Sequence, residues 1–363
     1  MHENPIPPPD QGEVRWGRLT EFLFSKQEGS PSIPRIMNPL SNMTALADLT
    51  SFQRSLALDR VYIKGGLPKQ CDDHRLRVLS WNIERGHAPE RLAETLVKIQ
   101  PDLACLQEVD WGNARTGSRD VLAFLAQATG MLGLFGIEFL EVPSPYRRAR
   151  FAGGGAIGNA LLTRLDPVAT FRVELPPCLD WEQGGDARSL PRSIRRCLRN
   201  EKRIGQRFGL GAEFRVGGRR LRVYSLHLED KQGGIEGRWT QFMAAARAVD
   251  ACPGERAASV IAGDFNTFDC RLARFFTPDS DVTALGKPPG MTEAAWWKGV
   301  LLPRTSYSDP FPDDSWTVAV PPLFRAKLDW ITTRDCEVRN FGVCSFSSSD
   351  HRPIWVDLQM TEL

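Results

Sequence analysis

Nowhere in the 363 residues do eighteen apolar residues follow one another, so the sequence offers no membrane-spanning helix. The start, MHENPIPPPDQGEVRWGR, is polar and proline-rich and lacks the apolar core of a signal peptide, which makes cytoplasmic residence the expectation. Zinc-type cysteine spacing is missing as well. The eight cysteines (71, 105, 178, 197, 252, 270, 336 and 344) include no C-x-x-C pair, and several sit in apolar runs such as DLACLQEV, where buried reduced thiols belong. An excess of one charge is lacking too: 46 basic against 44 acidic residues leave +2, so bulk charge names no partner. No repeat recurs at solenoid periods. With these classes set aside, 42% hydrophobic residues describe an ordinary globular chain with ample material for a core.

Residues 1–74 differ from the remainder of the chain. Prolines and serines are frequent and apolar positions scattered, which reads as a partly flexible, accessory N-terminal extension with a short helix near 43–58. From residue 75 to 363 the pattern sharpens into one domain. LRVLSWNI alternates as a strand, and APERLAETLVKIQPD carries Leu92, Leu96 and Ile99 at helical spacing with Pro101 beyond its end. Strand patterns recur in DLACLQEV, LGLFGIEFLEV, GNALLTR, PVATFRVEL, FGLGAEFRV, RLRVYSLHL, ASVIAGDF, SWTVAV, KLDWITT and PIWVDLQM, with VGGR as a hairpin turn. SRDVLAFLAQATG and GRWTQFMAAARAVDA read as helices. Strands outnumber helices and include hairpins, so the expected fold is α/β (α+β): two mixed β-sheets packed face to face with helices outside. Loops near 174–208 and 277–314 exceed what compactness needs.

The functional signal lies where polar residues interrupt or end strands. In SVIAGDFNTFD the apolar run at 260–263 stops at Asp264, Phe265 and Asn266; strand alternation puts Asp264 and Asn266 on one face and Phe265 on the other. Asn82 ends RVLSWN, Glu108 ends ACLQE, Asn159 opens NALLT, His227 follows RVYSL, Asp329 interrupts KLDWI, and Asp350 and His351 precede the last strand. Each alone could cap or turn. Together they are coherent, since an ionised Asp329 inside an apolar strand requires a partner. Carboxylates with amide oxygens suit a hard cation such as Mg²⁺ or Mn²⁺, and two histidines with an aspartate suit proton transfer.

LSWNIERG, LACLQEVD, GNALLTR, VYSLHLED, VIAGDFNTF, KLDWI and SSSDHRPI, in this order, resemble the endonuclease/exonuclease/phosphatase superfamily with its deoxyribonuclease I-like fold, over about residues 76–360. The resemblance implies a four-layered sandwich and a metal-dependent phosphoester hydrolase. It implies Glu108 as the principal Mg²⁺ ligand, Asn82 as a neighbouring ligand and Asp350 as a further metal-side carboxylate. His351 resembles the general base, Asp329 its orienting carboxylate, Asp264 and Asn266 the pair that positions water and holds a phosphate oxygen, and His227 the histidine near the phosphate or leaving group. Asn159 is a candidate phosphate contact.

The substrate stays open between nucleic acid, slightly favoured, and a phosphorylated lipid or small molecule; a binding protein on an inactive scaffold is the third reading. His227 stands where the abasic-site repair branch usually has asparagine, which weakens that branch. The basic run PRSIRRCLRNEKRIGQR offers Arg192, Arg195, Arg196, Arg199, Lys202, Arg203 and Arg207 to a polyanion or to solvent. Trp296 and Trp297 in EAAWWKG suit stacking, membrane contact or a lid packed on the core.

Overall fold

The structure, a computed structural model, describes residues 49–66, 75–182, 192–230, 233–252, 256–267, 287, 291–320 and 324–360. In chain order the strands are β1 (Val61–Gly65), β2 (Arg75–Arg85), β3 (Leu103–Trp111), β4 (Leu132–Glu141), β5 (Ala156–Thr163), β6 (Pro167–Glu174), β7 (Arg203–Gly205), β8 (Phe208–Val216), β9 (Arg219–His227), β10 (Ala258–Asp264), β11 (Val318–Val320), β12 (Phe324–Ala326), β13 (Asp329–Arg334), β14 (Glu337–Val343) and β15 (Ile354–Gln359). The helices are α1 (Ser51–Arg54), α2 (Pro89–Ile99), α3 (Val121–Thr129), α4 (Arg192–Asn200), α5 (Gly234–Ala251) and α6 (Glu293–Trp296).

Local chemistry sets the helix ends. Pro89 opens α2, where its missing N–H costs nothing, and Gln100 closes it in the left-handed region just before Pro101. The Asp120 carboxylate caps α3 by accepting from Ala123 N at 3.0 Å, and Gly130 ends it at φ 66°.

One sheet runs β1-β4-β5-β3-β2-β15-β14, with β7 also on β4; the other runs β13-β10-β9-β8-β6. Each is mixed, with one parallel pair: β2 with β3, and β9 with β10. Alternation then sorts the core. Val78, Leu103, Leu134 and Leu161 of the first sheet meet Leu210, Val223, Val260 and Ile331 of the second between the sheets. The opposite faces pack outward, Trp81, Leu106 and Leu162 against α2 and α3, and Tyr224, Ile261 and Trp330 against α5 and α6. The order is helices, sheet, sheet, helices, as expected.

Two details differ from the sequence reading. Within the N-terminal extension, β1 pairs antiparallel with β4, and Gln53 Nε2 donates to Glu141 O at 3.0 Å and Gly155 O at 2.7 Å, so the sheet begins before residue 75. The helix expected near 43–58 is present as α1, while residues 1–48 and 67–74 of that extension lie outside the described residues. The long segments carry structure of their own, α4 and β7 in one and α6 in the other. Of the readings offered for Trp296 and Trp297, packing on the core is the one that holds: they are 1% and 0% exposed, with Trp297 against Phe242, Phe265 and Trp330, and neither stacking on a ligand nor touching a membrane is open to them. Cys105, Cys178, Cys252, Cys336 and Cys344 are free thiols. Among the described residues no helix is long and apolar enough to cross a membrane.

Candidate active site

The carboxyl ends of the two parallel pairs lie at the same end of the sandwich, and the polar residues collect there. In the second sheet Asp264 pairs in register with His227 on one side and Asp329 on the other, so three neighbouring strands present them at one level. They share the face of Val223, Ala262 and Ile331, which looks toward the first sheet. In the first sheet Asn82 follows Val78 and Ser80 on the facing side.

Glu108 would point away from that space if β3 continued regularly. The register of β3 against β5 instead shifts between Leu106 and Val109, and Glu108 takes φ 54°. This bulge re-aims its carboxylate toward Asn82. A second irregularity lies at the end of β2, where Glu84, Arg85 and the following Gly86 adopt φ 47°, 64° and 77°. Non-glycine residues in this region are strained, and such strain gathers at functional sites.

Asp264 is the centre. Its Oδ2 accepts from Asn82 Nδ2 at 3.0 Å, a bond across the gap between sheets, and lies 3.7 Å from His227 Nε2 and 3.8 Å from His351 Nε2. Its Oδ1 accepts from the Asn266 backbone N–H at 2.9 Å, closing a turn. Asn266 therefore does not share a strand face with Asp264: the chain leaves the strand at once, Asn266 takes φ 51°, and its side chain donates to Leu228 O at 3.0 Å. Asp264 is a turn former through one oxygen and a site residue through the other. Phe265 points into the opposite core, stacked on Trp330 at 6.0 Å.

His351 enters from the loop before β15. Its Nδ1 and Asp329 Oδ2 are 2.8 Å apart, and its carbonyl accepts from Trp81 Nε1 at 3.0 Å. The backbone of Asp329 is held by the Thr317 hydroxyl, which accepts from Asp329 N at 3.2 Å. Burial alone would lower the His351 pKa; the charges of Asp329 and Asp264 outweigh it and raise the value to about 10. Asp264 is pushed above its ordinary value by burial and by the Asp329 charge, against the pull of both histidines. Glu108 goes the other way. Burial opposes its ionisation, but Arg85, His227, His351 and the Asn82 amide together hold it below the usual carboxylate range.

Asn82 donates its amide nitrogen to Glu108 Oε1 at 3.4 Å as well as to Asp264, and its oxygen accepts from Glu84 N at 3.0 Å. The atom expected to ligate a cation is thus turned to the backbone. Asp350 is exposed; its N–H donates to Glu84 Oε2 at 3.2 Å, and Ser349 Oγ lies 3.2 Å from its Oδ1. Asn159 is buried between the sheets, its amide bonded to Phe208 O at 3.0 Å and none of its hydrogen bonds reaching the cluster. Asp264, Asp329 and His351 offer ligand atoms within 4.8 Å of one another, so this buried group could also hold a metal ion.

Residues the sequence reading passed over complete the surroundings. His227 Nδ1 lies 3.7 Å from Glu138 Oε2, and Glu138 is held by Arg207, which also reaches Glu229 at 3.5 Å. Arg207 and Arg203, counted in the basic run, are buried and ion-paired, the latter with Glu141 and Glu201. They cannot meet a polyanion; within that run Arg196 and Arg199 remain exposed on α4. Charged residues inside the apolar strand LGLFGIEFLEV were the available signal for Glu138 and Glu141.

A sequence model described as the Endonuclease/Exonuclease/phosphatase family matches residues 79–351. Among solved structures, an endonuclease/exonuclease/phosphatase from Beutenbergia cavernae superimposes with TM-score 0.54 at 19% identity, covering 79% of this chain and 72% of the other. An endonuclease/exonuclease/phosphatase family protein from Leptotrichia buccalis gives 0.50 at 16% identity, covering 77% and 98%. At these identities the likeness is one of fold, the deoxyribonuclease I-like sandwich. No curated protein sequence matches.

Proposed function

The chain belongs to the endonuclease/exonuclease/phosphatase family, and from that membership we propose that it is a divalent-metal-dependent phosphodiesterase using a histidine-activated water. The observation that carries this is the Asp329–His351 pair, whose Nε2 faces Asp264 Oδ2 at 3.8 Å.

Glu108 fits a hard cation. Among the described residues its oxygens meet their neighbours only at 3.4 and 3.5 Å, too far for strong hydrogen bonds, so an ionised carboxylate is left with lone pairs to offer. Asp350 is the second carboxylate on this side, and Asn82 orients Glu108 and Asp264 through its amide hydrogens. Mg²⁺ suits the set, with Mn²⁺ as a substitute. Once bound, the ion supplies charge neutralisation for the five-coordinate phosphorus.

The protein does the rest. Asp329 holds the His351 ring with Nδ1 inward, leaving Nε2 to take a proton from water that Asp264 orients. Such a base contributes about 10²- to 10⁴-fold. His227, beside the same Asp264 oxygen, faces the phosphate or the departing oxygen, and Asn266 ties the Asp264 turn to the loop after β9. We leave Asn159 a role in joining the sheets near the phosphate. Residues 75–363, with β1 as an added edge, form the catalytic unit.

Nucleic acid is the favoured substrate; a phosphorylated lipid or small molecule is the alternative, and the complete polar set speaks against an inactive scaffold. Purified protein assayed side by side on DNA, RNA, sphingomyelin and inositol phosphates, with and without Mg²⁺, tests the reading. His351→Ala and Asp264→Ala should abolish turnover without unfolding the chain. Near-wild-type rates in either variant refute the assignment.

A further inference from the structure

Arg85 is charged, mostly buried and poorly held. Its Nη1 lies 3.5 Å from Glu108 Oε2, its side chain is 16% exposed, and its Nε is buried with no hydrogen-bond partner among the described residues. Arg115, nearby in chain and fold, shows what a structural arginine looks like here: fully buried, with Nη2 and Nε at 2.6 and 2.8 Å from the two oxygens of Asp110 and a further bond to Glu141. Arg85 has no such fork. Its guanidinium rests instead on the Phe151 ring, 5.0 Å from the centroid, an apolar shelf that allows sliding without desolvation of a partner. The left-handed turn through Glu84, Arg85 and Gly86 spends backbone strain to bring the side chain to Glu108.

We propose that Arg85 is the resident cation of Glu108 and a phosphate-binding residue: it neutralises the carboxylate when no metal is bound, yields that position to a divalent cation, and then turns its free donors to a non-bridging oxygen of the substrate phosphoryl group. This rests on the reading of the site as a metal-dependent phosphodiesterase. A planar guanidinium with unspent N–H groups matches a phosphoryl edge, and its charge beside Glu108 opposes metal entry.

The test compares wild type, Arg85→Met and Arg85→Lys by calorimetric titration with MgCl₂ alone and by kinetics on bis-p-nitrophenyl phosphate. In Arg85→Met, Mg²⁺ should bind about tenfold more tightly because a like charge is gone, while kcat/KM falls about 100-fold. Arg85→Lys should keep wild-type Mg²⁺ affinity and lose about tenfold in kcat/KM, having the charge without the fork. Unchanged Mg²⁺ affinity in Arg85→Met, or kcat/KM within about twofold of an active wild type, overturns this inference alone. A wild type that neither binds Mg²⁺ nor cleaves any phosphoester removes the functional reading and this inference with it.

Discussion

Replacing Asp329 by Asn changes one charge and almost no volume at the best-defined pair in the site. His351 is displaced from an ordinary 6.5 to about 10, equivalent to about 5 kcal/mol favouring the imidazolium over the imidazole. The Asp329 carboxylate, 2.8 Å from Nδ1 and fully buried, is the larger of the two charges responsible. A pair of unit charges about 4 Å apart at an effective dielectric of about 20 interacts by about 4 kcal/mol, close to three decades in proton affinity. In Asp329→Asn without metal, His351 should therefore titrate near pH 7. The chain has only five histidines, so ring carbon–proton resonances followed by NMR from pH 5 to 11 resolve it. Stability must move with it. A histidine raised in the folded state contributes stability that is full below about 6.5 and lost as pH rises through about 10, so wild type should weaken over that window and Asp329→Asn should not. Mg²⁺ bound beside Glu108, as proposed, would add positive potential to the same space, so its addition to wild type should lower the His351 midpoint. A midpoint that stays near 10 in Asp329→Asn would refute the claim that this carboxylate governs the ring.

Glu108→Gln should lose Mg²⁺ binding by calorimetry and with it turnover, by at least about 100-fold, and the thermal midpoint of the metal-free protein should fall, because Arg85, His227 and His351 lose the carboxylate they hold ionised. Arg115→Met strands Asp110 and takes from Glu141 one of its arginine partners, Arg203 remaining, and chemical denaturation should show a loss of about 3–5 kcal/mol. Gly263→Ala places a Cβ at 1.8 Å from Leu226 O, at φ 153°, so the β9–β10 ladder must part; a drop above about 4 kcal/mol, or no folded protein, is expected by the same assay.

Periodicity in the sequence identified most strands, the α2, α3 and α5 helices, and the sandwich class, because alternation and helical spacing are properties of consecutive residues. It also marked Asn82, Glu108, His227, Asp264, Asp329 and His351 as strand-end polar residues. What it lacked was adjacency. Nothing in Asp329 or His227 states that both sit in register beside Asp264, since strand order is set by packing between distant segments. The bulge that turns Glu108 inward depends on a left-handed backbone that no residue type there announces. Asn266 failed for a related reason: alternation was extended one residue past the point where the Asp264 side chain captures the chain into a turn. For Trp296 and Trp297 the sequence leaves binding and packing on the core equally open, because the rings that bury them come from distant segments. Glu138, conversely, was readable by the criterion that singled out Asp329.

The Asn82–Asp264 bond joins the two sheets directly, and near it Gln107 Nε2 donates to Ser225 Oγ at 3.0 Å and Asn159 Nδ2 to Phe208 O. One sheet thus brings Asn82 and Glu108 while the other brings His227, Asp264 and Asp329, and neither half holds a working set. Activity then acts as a gauge of how the sheets are seated: a slip of one against the other by about an ångström, too small to disturb an apolar interface spread over many side chains, separates groups that must meet at bonding distance. Chemistry should fail before the fold does, and catalytic loss at mild denaturant would register the sandwich loosening while its secondary structure is still intact.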